Sequence, residues 1–277
     1  LGRQNVLQLH AVDLDAPGIG GLVQNGTHLC VDGIAAGQGL VQLQITDDVT
    51  KGGSGQILDG CDGSFHAIGE KLGIEVNNKS IYGSGMWAPT LRFANGKFYV
   101  LFIANDTHKT YLYSAKKIEG PWNKKTVEGF YYDASLLFDD DGKVYIFHGN
   151  REIFVTELEA DLSRPKAGGV NKKILSDKCE GLGYEGSHAY KINGRYYLFN
   201  IHWPAGSIRT ESCFTAEKID GEWTGKDVVC NDMNFHNQGV AQGGIVQDAA
   251  GNWYGVLFQD RGGVGRLPIL VPVTWEG

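Results

Sequence analysis

Four residues that could contact or transform a ligand each precede a recurring glycine by the same number of positions in the sequence. Trp87, Asp133 and Glu185 each precede a glycine by nine residues, and Gln242 does the same. The four glycines are Gly96, Gly142, Gly194 and Gly251. If the surrounding repeats are equivalent, a common offset places these side chains around one cavity. A ring of residues with a purely structural role would favour small or apolar side chains, so the two carboxylates indicate a role in binding or catalysis.

Facing carboxylates in a sheltered cavity suit the hydrolysis of a glycosidic bond. One carboxyl must be protonated so that it can donate to the leaving oxygen, and another must be ionised so that it can activate a water. A like charge nearby raises the pKa of one of the two, which keeps the acid protonated near neutral pH. Asp133 and Glu185 are therefore candidate catalytic residues.

A third carboxylate is expected near the start of the chain. Counting nine residues back from a fifth turn glycine, Gly26, reaches Pro17. Asp15 lies two residues further upstream, and a β-bulge at Gly20-Gly21 would bring it into the same ring. Asp15 is therefore the candidate third member. Alternatives in the same glycine-rich stretch are Asp13, Asp32, Asp47 and Asp48.

The elements that must position these residues are short strands. Four segments share an apolar strand, a two-residue turn that ends in glycine, and an aromatic-rich strand: WAPTLRFANGKFYVLF, DASLLFDDDGKVYIF, EGSHAYKINGRYYLF and QGGIVQDAAGNWYGVLF. Asn-Gly and Asp-Gly between β-forming residues predict hairpins. Successive turn glycines are 46, 52 and 57 residues apart, which fits one four-stranded propeller blade per repeat. No amphipathic helical segment separates the repeats, which argues against a parallel βαβ sheet.

The repeats predict an all-β, five-bladed β-propeller in a single catalytic domain, residues 1–277. The fifth repeat comes first along the chain and reads GGLVQNGTHLCV, with Gly26 in its turn. Gly26 and Gly96 are 70 residues apart, so the first blade, within residues 1–81, is atypical and carries an insertion around 50–80. It is also poor in aromatic residues, with Phe65 alone in the first eighty.

Composition excludes several other classes of protein. Of the 277 residues, 25 are Lys or Arg and 32 are Asp or Glu, a formal charge of −7, and no basic stripe suits a phosphate backbone. No run of about 18 apolar residues could span a bilayer. Five widely spaced cysteines exclude a full disulfide framework, and no CxxC or HExxH spacing indicates zinc. We therefore predict no nucleic-acid or membrane partner and no metal ligand set, and both a secreted and a cytoplasmic location stay open.

Longer motifs around these residues resemble a known family. GMWAPTLRFANGKFYVLF, YDASLLFDDDGKVY, YEGSHAYKINGRYYLF and the closing GVAQGGIVQD and VGRLPILVPVTW are similar to glycoside hydrolase family 43. The similarity is greatest to its β-xylosidase and α-L-arabinofuranosidase members. It covers roughly Tyr82 to Glu276, with four motifs in the family's order.

The resemblance implies a five-bladed propeller that inverts the anomeric configuration. By motif, Glu185 matches the general acid and Asp133 the aspartate that modulates its pKa. Arg266 matches an arginine that holds sugar hydroxyls, and Trp87 matches an aromatic wall of the sugar subsite. Gln242 has no such motif match, and from its place in the common offset we predict that it is a second anchor for hydroxyls. The family's base lies in a PDP-type motif, where this chain reads HAVDLDAPGIG. Asp15 is the better match to that base, and Asp13 is the alternative.

The resemblance also raises the question of a metal. Many members place a histidine of the last blade beneath a central ion, usually calcium, where this chain has Gln242, with His236 just upstream. An amide oxygen can ligate calcium, and a water could equally occupy the axis. No cofactor is required by the predicted reaction, and a calcium ion at the propeller axis is possible.

The predicted function is the removal of terminal xylose or arabinofuranose from xylan- or arabinan-derived saccharides, with an oligosaccharide or polysaccharide as the partner. One alternative is a catalytically silent carbohydrate-binding propeller, because the first blade departs from the family's pattern. Others are an endo-acting arabinanase or a related glycosidase. A fructan-cleaving furanosidase is disfavoured because its opening WMNDPNG-like motif and its Arg-Asp-Pro motif do not occur.

Overall fold

The computed structural model describes residues 6–9, 85–262 and 265–276. Most of the predicted first blade, including Asp13 and Asp15, therefore lies outside the described residues. Every regular element in the described part is a β-strand, and none of it forms a helix with the length and apolarity that crossing a membrane requires.

The described residues contain sixteen strands, which form four four-stranded sheets. The first sheet contains β2 (Met86–Ala94), β3 (Lys97–Ala104), β4 (Lys109–Ala115) and β5 (Asn123–Val127). The second contains β6 (Ser135–Phe138), β7 (Val144–His148), β8 (Glu152–Leu158) and β9 (Asn171–Ser176). The third contains β10 (Gly181–Ile192), β11 (Arg195–Pro204), β12 (Thr210–Ala216) and β13 (Thr224–Val229). The fourth contains β14 (Ala241–Gln247), β15 (Trp253–Asp260), β16 (Arg266–Glu276) and β1 (Val6–Leu9).

Neighbouring strands are antiparallel in every sheet, as a propeller blade requires, and in the first three sheets the four strands are consecutive in the chain. The first strands of successive sheets, β2, β6, β10 and β14, contact one another in that order and form the inner wall. In the fourth sheet the outermost strand is β1, which pairs antiparallel with β16. The prediction of an all-β propeller is confirmed, and the described residues supply four of its blades.

The hairpin turns differ from the sequence prediction in two of the four repeats. Asn95-Gly96 and Asn193-Gly194 are two-residue turns with positive φ at both positions, as predicted. In the second and fourth sheets, however, the strands end earlier and the loops contain five residues, 139–143 and 248–252. The turn glycine is therefore the last residue of a short turn in two sheets and the fourth residue of a longer loop in the others.

This difference in loop length changes which residues are equivalent. In each sheet a residue with positive φ lies two positions before the point where the innermost strand begins, or resumes, its pairing with the second strand. These residues are Ala88, Asp133, Gly186 and Gln242, with φ of 38°, 48°, 62° and 60°. By this backbone criterion Asp133 and Gln242 are equivalent to each other, but Glu185 and Trp87 each lie one residue earlier in their strands. The nine-residue offset therefore identifies the same region of each innermost strand, but it does not select structurally equivalent positions within it.

Hydrophobic clusters fill the spaces between neighbouring sheets. Leu101 and Leu112 of the first sheet pack with Leu136 and Ile146 of the second, and all four are almost fully buried. Two further clusters join the second sheet to the third and the third to the fourth. Each fully buried side chain of this kind contributes roughly 1.5–3 kcal/mol, so apolar packing between blades stabilises the ring that positions the inner strands.

A buried arginine adds polar contacts across the same interfaces. Arg92 has no exposed surface, and its Nε donates to the carbonyl of Leu136 at 2.8 Å. Its Nη2 donates to Ser135 Oγ at 2.7 Å and to the carbonyl of Ala189 at 3.4 Å. The guanidinium also lies 5.4 Å from the ring centre of Tyr190, whose hydroxyl accepts a hydrogen bond from an amide of the fourth sheet. One side chain therefore connects the inner strands of three sheets, and through Tyr190 a fourth.

Candidate active site

Glu185 lies in β10, immediately before the positive-φ residue of the third sheet, and its side chain is half-buried. Asn150, in the loop between β7 and β8 of the second sheet, donates a side-chain hydrogen bond to Glu185 Oε2. Burial is the largest cause that acts on the pKa of Glu185 and raises it above the ordinary value. Hydrogen bonds from Asn150 and Tyr132 and the positive charges of Arg266 and Arg209 act in the opposite direction. The net rise favours a carboxyl that holds its proton.

Asp133 is buried and lies next to the strand of Glu185. Its backbone carbonyl accepts a hydrogen bond from Ser187 N–H at 3.2 Å, which joins the second sheet to the third two residues after Glu185. The preceding residue, Tyr132, contacts Trp87 of the first sheet, with ring centroids 6.2 Å apart. The aromatic ring predicted to form a sugar wall is therefore adjacent to the acid pair.

Gln242 is buried against the third sheet. Its backbone N–H donates to Glu211 Oε2 at 2.6 Å, and Glu211 is fully buried in β12. Burial raises the pKa of Glu211 well above its usual value, and this carboxyl was not foreseen as part of the site. The contact fixes the left-handed backbone at Gln242, because a buried acceptor without a donor would cost about 1–3 kcal/mol.

Arg266 is the first residue of β16, and its positive charge acts on Glu185. Its Nε lies 3.1 Å from Asp260 Oδ1, and its guanidinium lies 4.6 Å from the ring centre of Phe258. Arg209 donates to the second oxygen of Asp260 and also stacks on Phe258 and on the exposed Trp203. Asp260 thus anchors two arginines, whose positive charges both act on Glu185.

The structure brings the predicted residues of its described part together. Trp87 contacts Tyr132, Asp133 bonds the strand of Glu185, and Gln242 packs against Gly186. Four site residues were missed: Tyr132, Asn150, Arg209 and Glu211. Tyr132 could have been found, since it precedes Asp133 in YDAS. Asn150 and Arg209 lie in loops without a repeat register, and the sequence carries no signal for them.

The protein-family comparison gives these contacts a context. The family model for glycosyl hydrolases family 43 matches residues 65–277. The chain belongs to this family. The match begins at residue 65 and so extends the similarity upstream of Tyr82, the start of the resemblance found by motif.

Relatives of this family 43 chain carry related names. A "Xylosidase/arabinosidase" of Butyrivibrio fibrisolvens is 31% identical over 229 residues, which cover 69% of this chain and 42% of the relative. A "Non-reducing end alpha-L-arabinofuranosidase" of Bacteroides ovatus is 28% identical and covers 69% of this chain and 39% of the relative. Among solved structures, a "Bifunctional GH43-CE" protein of Bacteroides eggerthii superposes with a TM-score of 0.66 at 41% identity, over 72% of this chain and 26% of that chain. The family 43 chain thus spans about two fifths of the length of these curated relatives.

The family resemblance implies a calcium ion at the propeller axis, near Gln242. Calcium takes six to eight oxygen ligands. Gln242 offers one amide oxygen there, and Glu211, whose Oε2 accepts the Gln242 N–H, has one further carboxylate oxygen, Oε1. Within the described ranges of this family 43 chain, three His, Cys, Asp or Glu side chains converge at Asp177, Cys179 and His202 instead. The described residues at Gln242 therefore do not form a calcium cage, and no catalytic step below uses calcium.

Close packing at Gly186 gives a test of the arrangement in this family 43 site. A Cβ at this position would lie 2.7 Å from Gln242 Cγ, and φ is +62°. We expect Gly186→Ala to lower the free energy of unfolding by about 2–5 kcal/mol, about 1–2 from the left-handed alanine and about 1–3 from overpacking, and to reduce hydrolysis. Chemical denaturation measures the first effect and product release the second.

Gly194→Ala is the matched control for this prediction. Gly194 also has positive φ, at 78°, but a Cβ added there would meet nothing within 4 Å. The free energy of unfolding of this variant should fall only by the cost of a left-handed alanine, about 1–2 kcal/mol, and its activity should be retained. Equal losses in the two variants would contradict a close contact between Gly186 and Gln242.

Proposed function

We propose that this chain hydrolyses the glycosidic bond of terminal xylose or arabinofuranose units in xylan- or arabinan-derived saccharides, with inversion at the anomeric carbon. Glu185 is the general acid, Asp133 positions it, and Asp15 is the general base. Trp87, Gln242 and Arg266 contact the sugar. The observation that carries the proposal is the half-buried carboxyl of Glu185, whose pKa is raised by burial while two arginines and Asn150 surround it.

The chemistry needs a protonated acid on one face of the sugar and an ionised base on the other. Glu185 supports the first role, because its proton can pass to the departing glycosidic oxygen as the bond to the anomeric carbon breaks. The base removes a proton from a water, and the resulting C–O bond forms on the opposite face. The proton balance closes when the base releases its proton to solvent and Glu185 regains one. Asp15, the proposed base, lies outside the described residues.

Several described residues support binding of a pentose. Trp87 and Tyr132 provide an aromatic surface beside Glu185. The rings can pack against the apolar face of a sugar, and the N–H of Trp87 and the O–H of Tyr132 remain polar groups at the ring edges. Arg266 keeps donors available, because its bond to Asp260 uses Nε. A guanidinium has five N–H donors, so the remaining groups of Arg266 can bind sugar hydroxyls.

The substrate class rests on the names of the relatives, which include xylosidases and an arabinofuranosidase. A panel of chromogenic pentosides distinguishes the two sugars, and NMR of the first product reports its anomeric configuration. We expect release of pentose with inverted configuration. Retention of configuration would contradict the assigned roles of the carboxyls.

A catalytically silent carbohydrate-binding propeller is the alternative outcome of the same experiment. Calorimetry with xylo- and arabino-oligosaccharides would then show binding, and none of the pentosides or oligosaccharides would release a sugar. Release of pentose from the oligosaccharides that is strongly reduced in Glu185→Gln supports the hydrolase instead.

A further inference from the structure

A cluster of sulfur, nitrogen and oxygen donors lies beside the acid-bearing strand. Asp177 and Cys179 follow β9, and His202 lies in β11. Cys179 Sγ is 3.1 Å from Asp177 Oδ2 and 3.9 Å from His202 Nδ1. His202 Nδ1 is 3.0 Å from Asp177 Oδ2. Three side chains of metal-ligating type therefore converge on one point.

His202 lies between two carboxylates. Its Nε2 is 3.1 Å from Asp227 Oδ1, which also accepts a hydrogen bond from Ser212 Oγ. A neutral imidazole that donates its Nε2–H to Asp227 presents a lone pair at Nδ1. That lone pair faces the Asp177 carboxylate, so a cation is needed between them, either a proton or a metal ion.

We propose that Asp177, Cys179 and His202 bind a zinc ion, with a water as the fourth ligand. Thiolate, imidazole and carboxylate together are the donors that zinc prefers. A tetrahedral zinc site has ligand–ligand distances of about 3.3–3.6 Å, and the three observed distances depart from this range by about 0.5 Å or less. On binding, the Cys179 S–H bond breaks, its proton passes to solvent and the sulfur forms the Zn–S bond.

The surroundings have the features of a built site. The side chains of Asp177 and His202 are 5% and 7% exposed, whereas Cys179 is half-buried and gives solvent access. Asp227 is placed to orient the imidazole, as carboxylates do beside zinc-bound histidines. Arg151 donates to the carbonyls of Asp177, Cys179 and Gly181, which holds the loop in one conformation.

The ligands come from separate elements, which explains why no zinc spacing occurs in the sequence. Cys179 and His202 are 23 residues apart, and the pairing of β10 with β11 places them together. The ring of Tyr184 is 4.9 Å from that of His202, and Glu185 follows directly. Zinc would therefore tie the loop before β10 to β11 just ahead of the proposed acid.

Cobalt(II) is the probe, because it occupies zinc sites and a cobalt–thiolate bond gives a charge-transfer band in the near ultraviolet. We expect the metal-free chain to bind one Co²⁺ with this band and to release it when Zn²⁺ is added. Cys179→Ser should lose the band, and Asp227→Asn should weaken affinity by roughly 10–100-fold. Circular dichroism verifies that each variant is folded.

Cys230→Ser is the matched control, because Cys230 is an exposed cysteine outside the group formed by Asp177, Cys179 and His202, and it should keep the band. A chain that shows no thiolate band, or a band that survives Cys179→Ser, overturns the proposal. In that case a proton bridges His202 and Asp177, and these residues form an ion-pair network only.

Discussion

Glu185→Gln should lower the turnover of an unactivated pentose disaccharide by about 10²–10⁴-fold, the usual contribution of a general acid. The amide has no acidic proton to transfer to the departing sugar oxygen, but it keeps the size of the side chain. Aryl pentosides with good leaving groups need less protonation, so they should be affected less. Initial rates on both substrate types, measured at saturating concentration, give the two ratios.

The pH profile provides a second readout of the same residue. The acid works only when protonated, so activity should fall as the pH rises through the pKa of Glu185. Because burial raises that pKa, this limb should lie at higher pH than for an exposed glutamate. Glu180→Gln, five residues upstream at an exposed position, is the control and should keep rate and profile. Near-normal turnover of the disaccharide by Glu185→Gln removes Glu185 from the acid role.

Arg92→Met should lower the free energy of unfolding by about 3–5 kcal/mol, the cost of removing a buried charged donor whose acceptors remain. Methionine fills much of the volume but leaves the carbonyls of Leu136 and Ala189 and the hydroxyl of Ser135 without this donor. Arg92→Lys should lose part of this stability, because one ammonium cannot reproduce the planar fork of a guanidinium. Urea denaturation followed by tryptophan fluorescence measures both values.

Arg195→Met is the control for the buried arginine. Arg195 lies 3.8 Å from Glu217 at the surface, and such pairs contribute about 0–1 kcal/mol. If Arg92→Met and Arg195→Met lose similar stability, the contacts between sheets at Arg92 are not important for the fold.

The strands and their grouping could be predicted from local sequence, because their signals are local. Asn95-Gly96 and Asn193-Gly194 mark hairpins by backbone conformation alone, and alternating apolar residues mark the strands beside them. The longer loops at 139–143 and 248–252 also contain an Asp-Gly or Ala-Gly step, so composition did not separate them from two-residue turns. Their length depends on where strand pairing stops, which is a property of the folded sheet.

The candidate site was predictable where a residue lies in the inner strands and not where it comes from a loop. Asp133, Glu185 and Gln242 are close to the kinked positions of the repeats. Asn150 reaches Glu185 from another sheet, and Arg209 is held by Asp260 across a distance of 51 residues. On the sequence alone, a nearby like charge is the expected cause of a raised carboxyl pKa. For Glu185 the largest cause of the raised pKa is burial instead.

The pairing of β1 with β16 has a consequence for biosynthesis. Val6–Leu9 leave the ribosome before any other described strand, and their partner in β16 is among the last to emerge. Until β16 has emerged, the backbone N–H and C=O groups that Val6–Leu9 use to pair with it are available to pair with a strand of another chain. A circular permutant that places Val6–Leu9 directly after β16 would make the four strands of that sheet consecutive, and we expect a higher yield of refolded monomer from it.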